Sequence, residues 1–319
     1  MRLGIKKEFL KIFSQLSSQQ KEDLNLMRED NFKSSFHYQS GPGKGWQKIA
    51  SEFEFHFHKE GIKDVQKQFY NSRFASQLPG NRVYYYFACN FYYNNIKKRD
   101  KFGILRKLKK NQNSISPDVE VIIDDLIITW DILNAIHQII SIAEIDESFL
   151  SKKKIFLDLG AGWGRIGHLL VRINPKIIYV AADLPESLLI SQNYLPKTLP
   201  SDTKIFSYKQ NRLKLDFKDS GIYFIGSHHL EKVRCKTIDF LVNIASFQEM
   251  KNQQVKRYFS DFDRIVNGIF YTKQIRSSNY KDGFKVSGDN LYPYPKNWKK
   301  QFLRYPNEWP GYFEAAFNI

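Results

Sequence analysis

Lys154-Ile155-Phe156-Leu157-Asp158-Leu159-Gly160-Ala161-Gly162-Trp163-Gly164-Arg165-Ile166-Gly167 is an apolar strand running into a glycine-rich turn and then an amphipathic helix. Glycine lets the backbone turn sharply and approach a ligand closely. It does so here at the carboxyl end of a strand, where open sheets bind their ligands. The stretch therefore predicts an α/β domain with a ligand site built around residues 158–167.

Two kinds of nucleotide cofactor compete for that turn. Gly162, Gly164 and Gly167 satisfy GxGxxG, the pattern of a dinucleotide site. Asp158 separates the alternatives, because it places a carboxylate inside the strand two positions before the first glycine. A pyrophosphate would be repelled by that charge, whereas S-adenosylmethionine brings an ammonium and a sulfonium that it attracts. Asp183 ends the next predicted strand, where a carboxylate can accept both ribose hydroxyls of either cofactor.

Downstream, strand and helix signals alternate. Strands are expected at 155–159, 177–183, 222–225, 240–245 and 269–273, and helices at 164–172, 185–194 and 250–265, as in a parallel sheet covered on both faces. Upstream, Ile127, Trp130, Ile132, Leu133, Ile136, Ile139 and Ile140 recur at helical spacing. A boundary falls near residue 145, giving an accessory region at 1–145 and a cofactor-binding domain at 146–319. Residues 97–117 read as a basic loop. The aromatic run Tyr84, Tyr85, Tyr86, Phe87 and then Phe91, Tyr92, Tyr93 reads as core, although rings that stack on sugar faces look identical in sequence. Phe9, Leu10, Phe13 and Leu16 form a basic amphipathic opening helix that docks on the protein itself, or at most makes peripheral contact with a membrane. Gly41-Pro42-Gly43-Lys44-Gly45 is turn chemistry and not a phosphate loop, since Gly45 stands where Ser or Thr must reach a metal. His56 and His58 form an HxH pair with no third metal ligand in view.

Composition sets the class. The chain has 319 residues, 42% hydrophobic and 15% aromatic, which is enough to bury a core. Its two cysteines, Cys89 and Cys235, form no disulfide or zinc pattern. With no apolar signal region at the start, this predicts a cytoplasmic protein. The apolar stretch 119–145 is broken by Asp124, Asp125, Asp131, His137 and Glu144 and is not a membrane span. A net charge of +16 attracts anionic partners without choosing among them, and the lysine runs read as solvated faces.

The sequence around Asp158 resembles motif I of class I methyltransferases, in the Trp163-Gly164-Arg165 form of the sugar O-methyltransferase family. Ala182-Asp183-Leu184-Pro185-Glu186-Ser187-Leu188 with Ser191-Gln192 is similar to that family's second motif, and Asn243-Ile244-Ala245-Ser246-Phe247-Gln248-Glu249-Met250 to its Ser-Phe-x-Glu-Met signature. Phe270-Tyr271-Thr272-Lys273-Gln274 and Gly311-Tyr312-Phe313-Glu314 match its late strands more loosely. The resemblance covers the chain from about residue 125. It implies a doubly wound, mostly parallel, Rossmann-like methyltransferase fold with a mainly helical N-terminal accessory region. It also implies S-adenosylmethionine held by Asp158, Gly160, Ala161, Gly162, Trp163, Gly164 and Arg165, with Asp183, Leu184 and Ser246 beside them, and a sugar or glycan hydroxyl as acceptor.

Methyl transfer to a hydroxyl needs alignment and a general base near the end of the fourth strand. Glu249, or His228 or His229 after the preceding strand, are the candidates. Glu249 serves equally as an N-terminal helix residue favoured by the dipole, and His228 as a contact to the cofactor or a loop filler. The basic charge suits an anionic or lipid-linked acceptor. RNA, another small molecule, or a non-catalytic cofactor-binding role are the alternatives. Nucleic acid is disfavoured because Asn243-Ile244-Ala245-Ser246 stands where base methylases carry Pro-Pro-Tyr. No metal ligand cluster is visible, and the use of a divalent ion to acidify the hydroxyl is left open, as is the oligomeric state.

Overall fold

A computed structural model describes residues 16–34, 82–110, 121–276, 292–307 and 311–319. The turn at 41–45, the pair His56 and His58, and Phe9, Leu10 and Phe13 lie outside the described residues. The chain forms helices α1 (Ser18–Lys33), α2 (Arg82–Arg99) and α3 (Ile104–Lys110), a hairpin of β1 (Val121–Ile123) and β2 (Leu126–Ile128), and α4 (Trp130–Ala143). Then come β3 (Ile155–Leu159), α5 (Arg165–Ile173), β4 (Ile178–Asp183), α6 (Pro185–Thr198), β5 (Ile205–Phe206), α7 (Tyr208–Asn211) and β6 (Gly221–Gly226). The remainder is β7 (Ile238–Ile244), α8 (Asn252–Ile265), β8 (Val266–Ile275), β9 (Lys299–Arg304) and β10 (Tyr312–Asn318).

Strands β3 to β10 make an eight-stranded sheet in the order β5-β6-β4-β3-β7-β8-β10-β9. All pairings from β5 across to β8 are parallel, and β10 runs antiparallel to both β8 and β9. This is the doubly wound, mostly parallel, Rossmann-like sheet, preceded by a mainly helical segment among the described residues. The inner strands are buried on both sides, as a sheet covered by helices on both faces requires. On one face Phe156 and Tyr179 pack in a core shared with α4, α5 and α6; on the other, Leu157, Leu241 and Phe270 meet Tyr258, Phe259 and Phe262. The chain winds outward from β3 through β4 to β5 at the edge, returns to β6 between β5 and β4, then crosses back to β7. The order therefore reverses between β3 and β7, which opens a crevice at their carboxyl ends.

The helices ahead of the sheet belong to the same core. The Thr129 hydroxyl accepts the Ile132 N–H at 3.1 Å and starts α4, all of whose residues are buried. A capping box between Ser17 and Gln20 starts α1, which buries Leu24 and Met27. Arg28 of α1 reaches Glu186 at 2.9 Å, and Arg212 donates to both oxygens of Asp30 at 2.7 and 2.8 Å. The basic segment expected as a loop is a helix in part. Residues 97–99 continue α2, and Ile104, Leu105 and Leu108 are buried in α3, whose first N–H groups bond to Asp100 at 2.9 and 2.8 Å.

Candidate functional site

The glycine turn fills the crevice between β3 and β7. Gly160 adopts φ +78°, and a Cβ there would lie 2.3 Å from Ser246 Oγ, so only glycine lets the two loops close against each other. Gly167 answers a different demand: a Cβ would sit 2.2 Å from the Tyr179 ring, so its absence lets α5 pack on β4. The β7 side is pinned by Asn243. Its amide donates to the Leu159 carbonyl at 2.8 Å, while its own oxygen accepts from Gln274 at 2.7 Å. Ala245, next to Ser246, takes a left-handed φ of 53°, a strained setting for a side chain that places Ser246 against the turn.

Two carboxylates stand behind the turn. Asp158 is 3% exposed and accepts the Tyr179 hydroxyl at 2.7 Å. Burial pushes its carboxyl up to about 6, although Tyr179 and the Arg165 charge pull the other way. Asp183 accepts the N–H of Gly162 through Oδ2 and that of Leu184 through Oδ1, both at 2.7 Å. Burial pushes it up to about 7 against those two bonds, and the charge of Asp158 adds to the rise. Each carboxylate oxygen has a second lone pair for a ligand.

Asp158, Gly160, Gly162, Asp183, Leu184 and Ser246 are thus brought together, with buried Ala161 accepting the Gly164 N–H at 2.9 Å inside the turn. Trp163 and Arg165 are placed differently. Trp163 Nε1 donates to Asp131 of α4 at 3.0 Å and Arg165 donates to the other oxygen of the same carboxylate, so both side chains clamp the turn to α4. In the sequence Asp131 and His137 stand only as breaks in an apolar stretch, and the fold is what gives Asp131 its contact with the turn. Asn134, Gln138 and Ser141 are likewise buried on that helix.

The candidate bases lie apart. Glu249 ends a 3-10 turn, Phe247–Glu249, and its N–H bonds to Ser246 O at 3.0 Å. Because α8 begins at Asn252 with Lys251 as its cap, Glu249 is outside the first helical turn and the capping role does not apply. His228 follows β6, whose Gly226 pairs in register with Asp183, so it belongs to the Asp183 side of the crevice. It is 3% exposed with neither ring nitrogen hydrogen-bonded among the described residues, and burial pushes it down to about 4, leaving a neutral imidazole. His229 stacks on Tyr208 at 5.5 Å and is pushed down to about 3 by burial and by His228. A polar network missed in the sequence lies where β8 meets β10. Fully buried Glu314 accepts the Tyr271 hydroxyl at 2.6 Å, bonds to Arg304 and lies 3.5 Å from His137. Among the described residues no cluster of His, Cys, Asp or Glu has the makings of a metal site, and no helix is long and apolar enough to cross a membrane.

No protein-family model matches the chain, and no curated protein matches it. Solved structures similar to it include a protein of Pyrococcus horikoshii OT3 (14% identity, 60% of this chain and 92% of that one, TM-score 0.41). A SAM dependent methyltransferase from Aquifex aeolicus aligns at 13% identity over 55% of this chain and 87% of its own, with TM-score 0.34. TehB from Haemophilus influenzae aligns at 15% over 57% and 61%, with TM-score 0.40.

Proposed function

We propose that the chain is an S-adenosylmethionine-dependent methyltransferase acting on a hydroxyl of a sugar, glycan or sugar-bearing metabolite. The observation that carries the cofactor is the pair of buried carboxylates behind the glycine turn. Burial has raised both, so a ligand bringing positive charge relieves a penalty already present in the fold, whereas a pyrophosphate adds negative charge beside them. Asp158 faces the cationic end and Asp183 the ribose hydroxyls. Gly160, Ala161, Gly162 and Gly164 supply backbone, with Leu184 and Ser246 along the walls and Trp163 and Arg165 holding the turn to α4. His228, neutral and with neither ring nitrogen hydrogen-bonded among the described residues, suits a hydrogen bond to the cofactor better than proton abstraction.

Bound there, S-adenosylmethionine supplies a methyl group already activated by its sulfonium. The protein then has to orient the acceptor hydroxyl and take its proton, and Glu249, half-buried just beyond Ser246, takes that role. The acceptor motif of the resembling family, Ser246 to Met250, supports a sugar. Residues 1–145 serve as the cover over the acceptor and 146–319 as the cofactor-binding unit, the two joined through the contact of Asp131 with the turn. Isothermal titration tests the cofactor: S-adenosylmethionine and S-adenosylhomocysteine bind and NAD does not. Tight NAD binding without a response to S-adenosylmethionine overturns the reading. Mass spectrometry of cell-envelope glycans with and without the gene tests the acceptor through the loss of a methyl group.

A further inference from the structure

Helix α2 buries Tyr85, Cys89, Tyr92, Tyr93 and Ile96 on one side. Its opposite side carries large rings into solvent: Phe87 is 62% exposed, Phe91 68% and Tyr86 45%. Phe87, Phe91, Asn94 and Lys98 recur at the spacing of a single helical stripe, and all four are exposed. The stripe runs about 16 Å along the axis, rings at one end and ammonium at the other. Tyr86 meets Phe87 edge to face at 6.0 Å and widens the aromatic end. Lys101 and Arg106, exposed just beyond the helix, extend the basic end, while Lys97 is matched by Asp124 at 2.7 Å.

Singly exposed rings are ordinary, but rings clustered on one helix face and followed by cations are an arrangement with a use. We infer that this stripe of α2 is a docking surface for an anionic lipid bilayer, with Tyr86, Phe87 and Phe91 entering the interface and Lys98 and Lys101 lying against the headgroups. Rings of this size settle at the boundary between headgroup and acyl chain, and lysines beside them gain from anionic phosphate. The net charge of +16 draws the whole molecule toward such a surface. The inference is independent of the proposed reaction. It does have a bearing on it: α2 packs on α4, which holds the glycine turn through Asp131, so the bilayer would lie one helix away from that clamp.

Sedimentation of the full chain with extruded vesicles tests it, comparing phosphatidylglycerol-containing vesicles with pure phosphatidylcholine at about 100 mM salt. The protein is expected to bind the anionic vesicles and not the neutral ones. Phe87→Ser with Phe91→Ser should weaken binding on the order of tenfold or more. Lys98→Ala with Lys101→Ala should weaken it about fivefold per lysine. Asn94→Lys, which adds a cation to the stripe without touching the rings, should strengthen it and keeps the test decisive if the phenylalanine pair disturbs folding. No binding to anionic vesicles, or binding that all three variants leave unchanged, overturns the proposal. Loss of single-stranded RNA binding in these variants, without any vesicle binding in the parent, also overturns it and assigns the stripe to nucleic acid.

Discussion

Replacing Asp183 by alanine separates cofactor binding from folding, because its two effects on the free protein oppose each other. The carboxylate accepts the N–H groups of Gly162 and Leu184, both at 2.7 Å, and leaving two buried donors unpaired costs ~1–3 kcal/mol each. Against this, burial holds the carboxyl at about 7, well above its ordinary range, even with both bonds in place, and alanine removes that penalty. The two effects oppose each other, so the ligand-free melting temperature should move by no more than a few degrees. Cofactor affinity has no such compensation. Losing the acceptor for the ribose hydroxyls should weaken S-adenosylhomocysteine by ~1–3 kcal/mol, roughly 5- to 150-fold. Scanning fluorimetry with and without ligand, alongside titration calorimetry, reads both quantities. An alanine variant with parental affinity removes Asp183 from the site. A variant that melts much lower yet binds normally makes the carboxylate a support of the turn alone.

Glu249→Gln keeps shape but loses basicity, so single-turnover methylation should fall about a hundredfold while cofactor affinity holds; full activity would move the base to His228. Gly160→Ala places a Cβ 2.3 Å from Ser246 Oγ and 2.7 Å from its Cβ at φ +78°, and should lower both the melting temperature and cofactor affinity. Adding Ser246→Gly, which removes both clashing atoms, should restore part of the loss, and no restoration would refute the contact. Asp158 and Asp183 are raised to about 6 and about 7, so between about pH 4 and 7 the folded protein holds more protons than the unfolded one, and their contribution to stability falls as pH rises. A cationic cofactor favours their ionised forms. Affinity for S-adenosylmethionine should therefore climb from pH 5 to 8 with proton release on binding, and a flat profile by calorimetry in two buffers would sink the assignment.

The strand, turn and helix at 154–167 were legible because each local choice agrees with the fold: an apolar run buried on both faces, glycines where loops close, and an apolar helix face. The alternation of later elements was legible for the same reason. What escaped was polar and long-range. Asp131, Asn134 and His137 sit within a helix whose periodic isoleucines dominate the pattern, and only the fold reveals that this helix meets Trp163 and Arg165. Tyr179 reads as one more apolar strand residue until its hydroxyl is seen on Asp158. The short lysine-rich helix α3 was masked because its charge resembled a loop, while its burial depends on three apolar residues, Ile104, Leu105 and Leu108. Glu249 looked like a helix start because helical periodicity does not mark a boundary to within two residues.

The attachment of α1 also sets an order of assembly. Its polar partners are remote in sequence: Arg28 is 158 residues from Glu186, Asp30 is 182 from Arg212, and Gln20 is 173 from Asn193. None of these bonds exists until the chain has folded through its partner, at Glu186, Asn193 or Arg212, and closing so long a loop is repaid only by contacts to a surface already formed. The helix is therefore expected to dock late, onto a surface already formed. It should also be among the first units to open, exchanging its amide hydrogens ahead of β3, β4 and β7, and its release would uncover Tyr208 and the Asp183 side of the crevice while the central sheet stays intact.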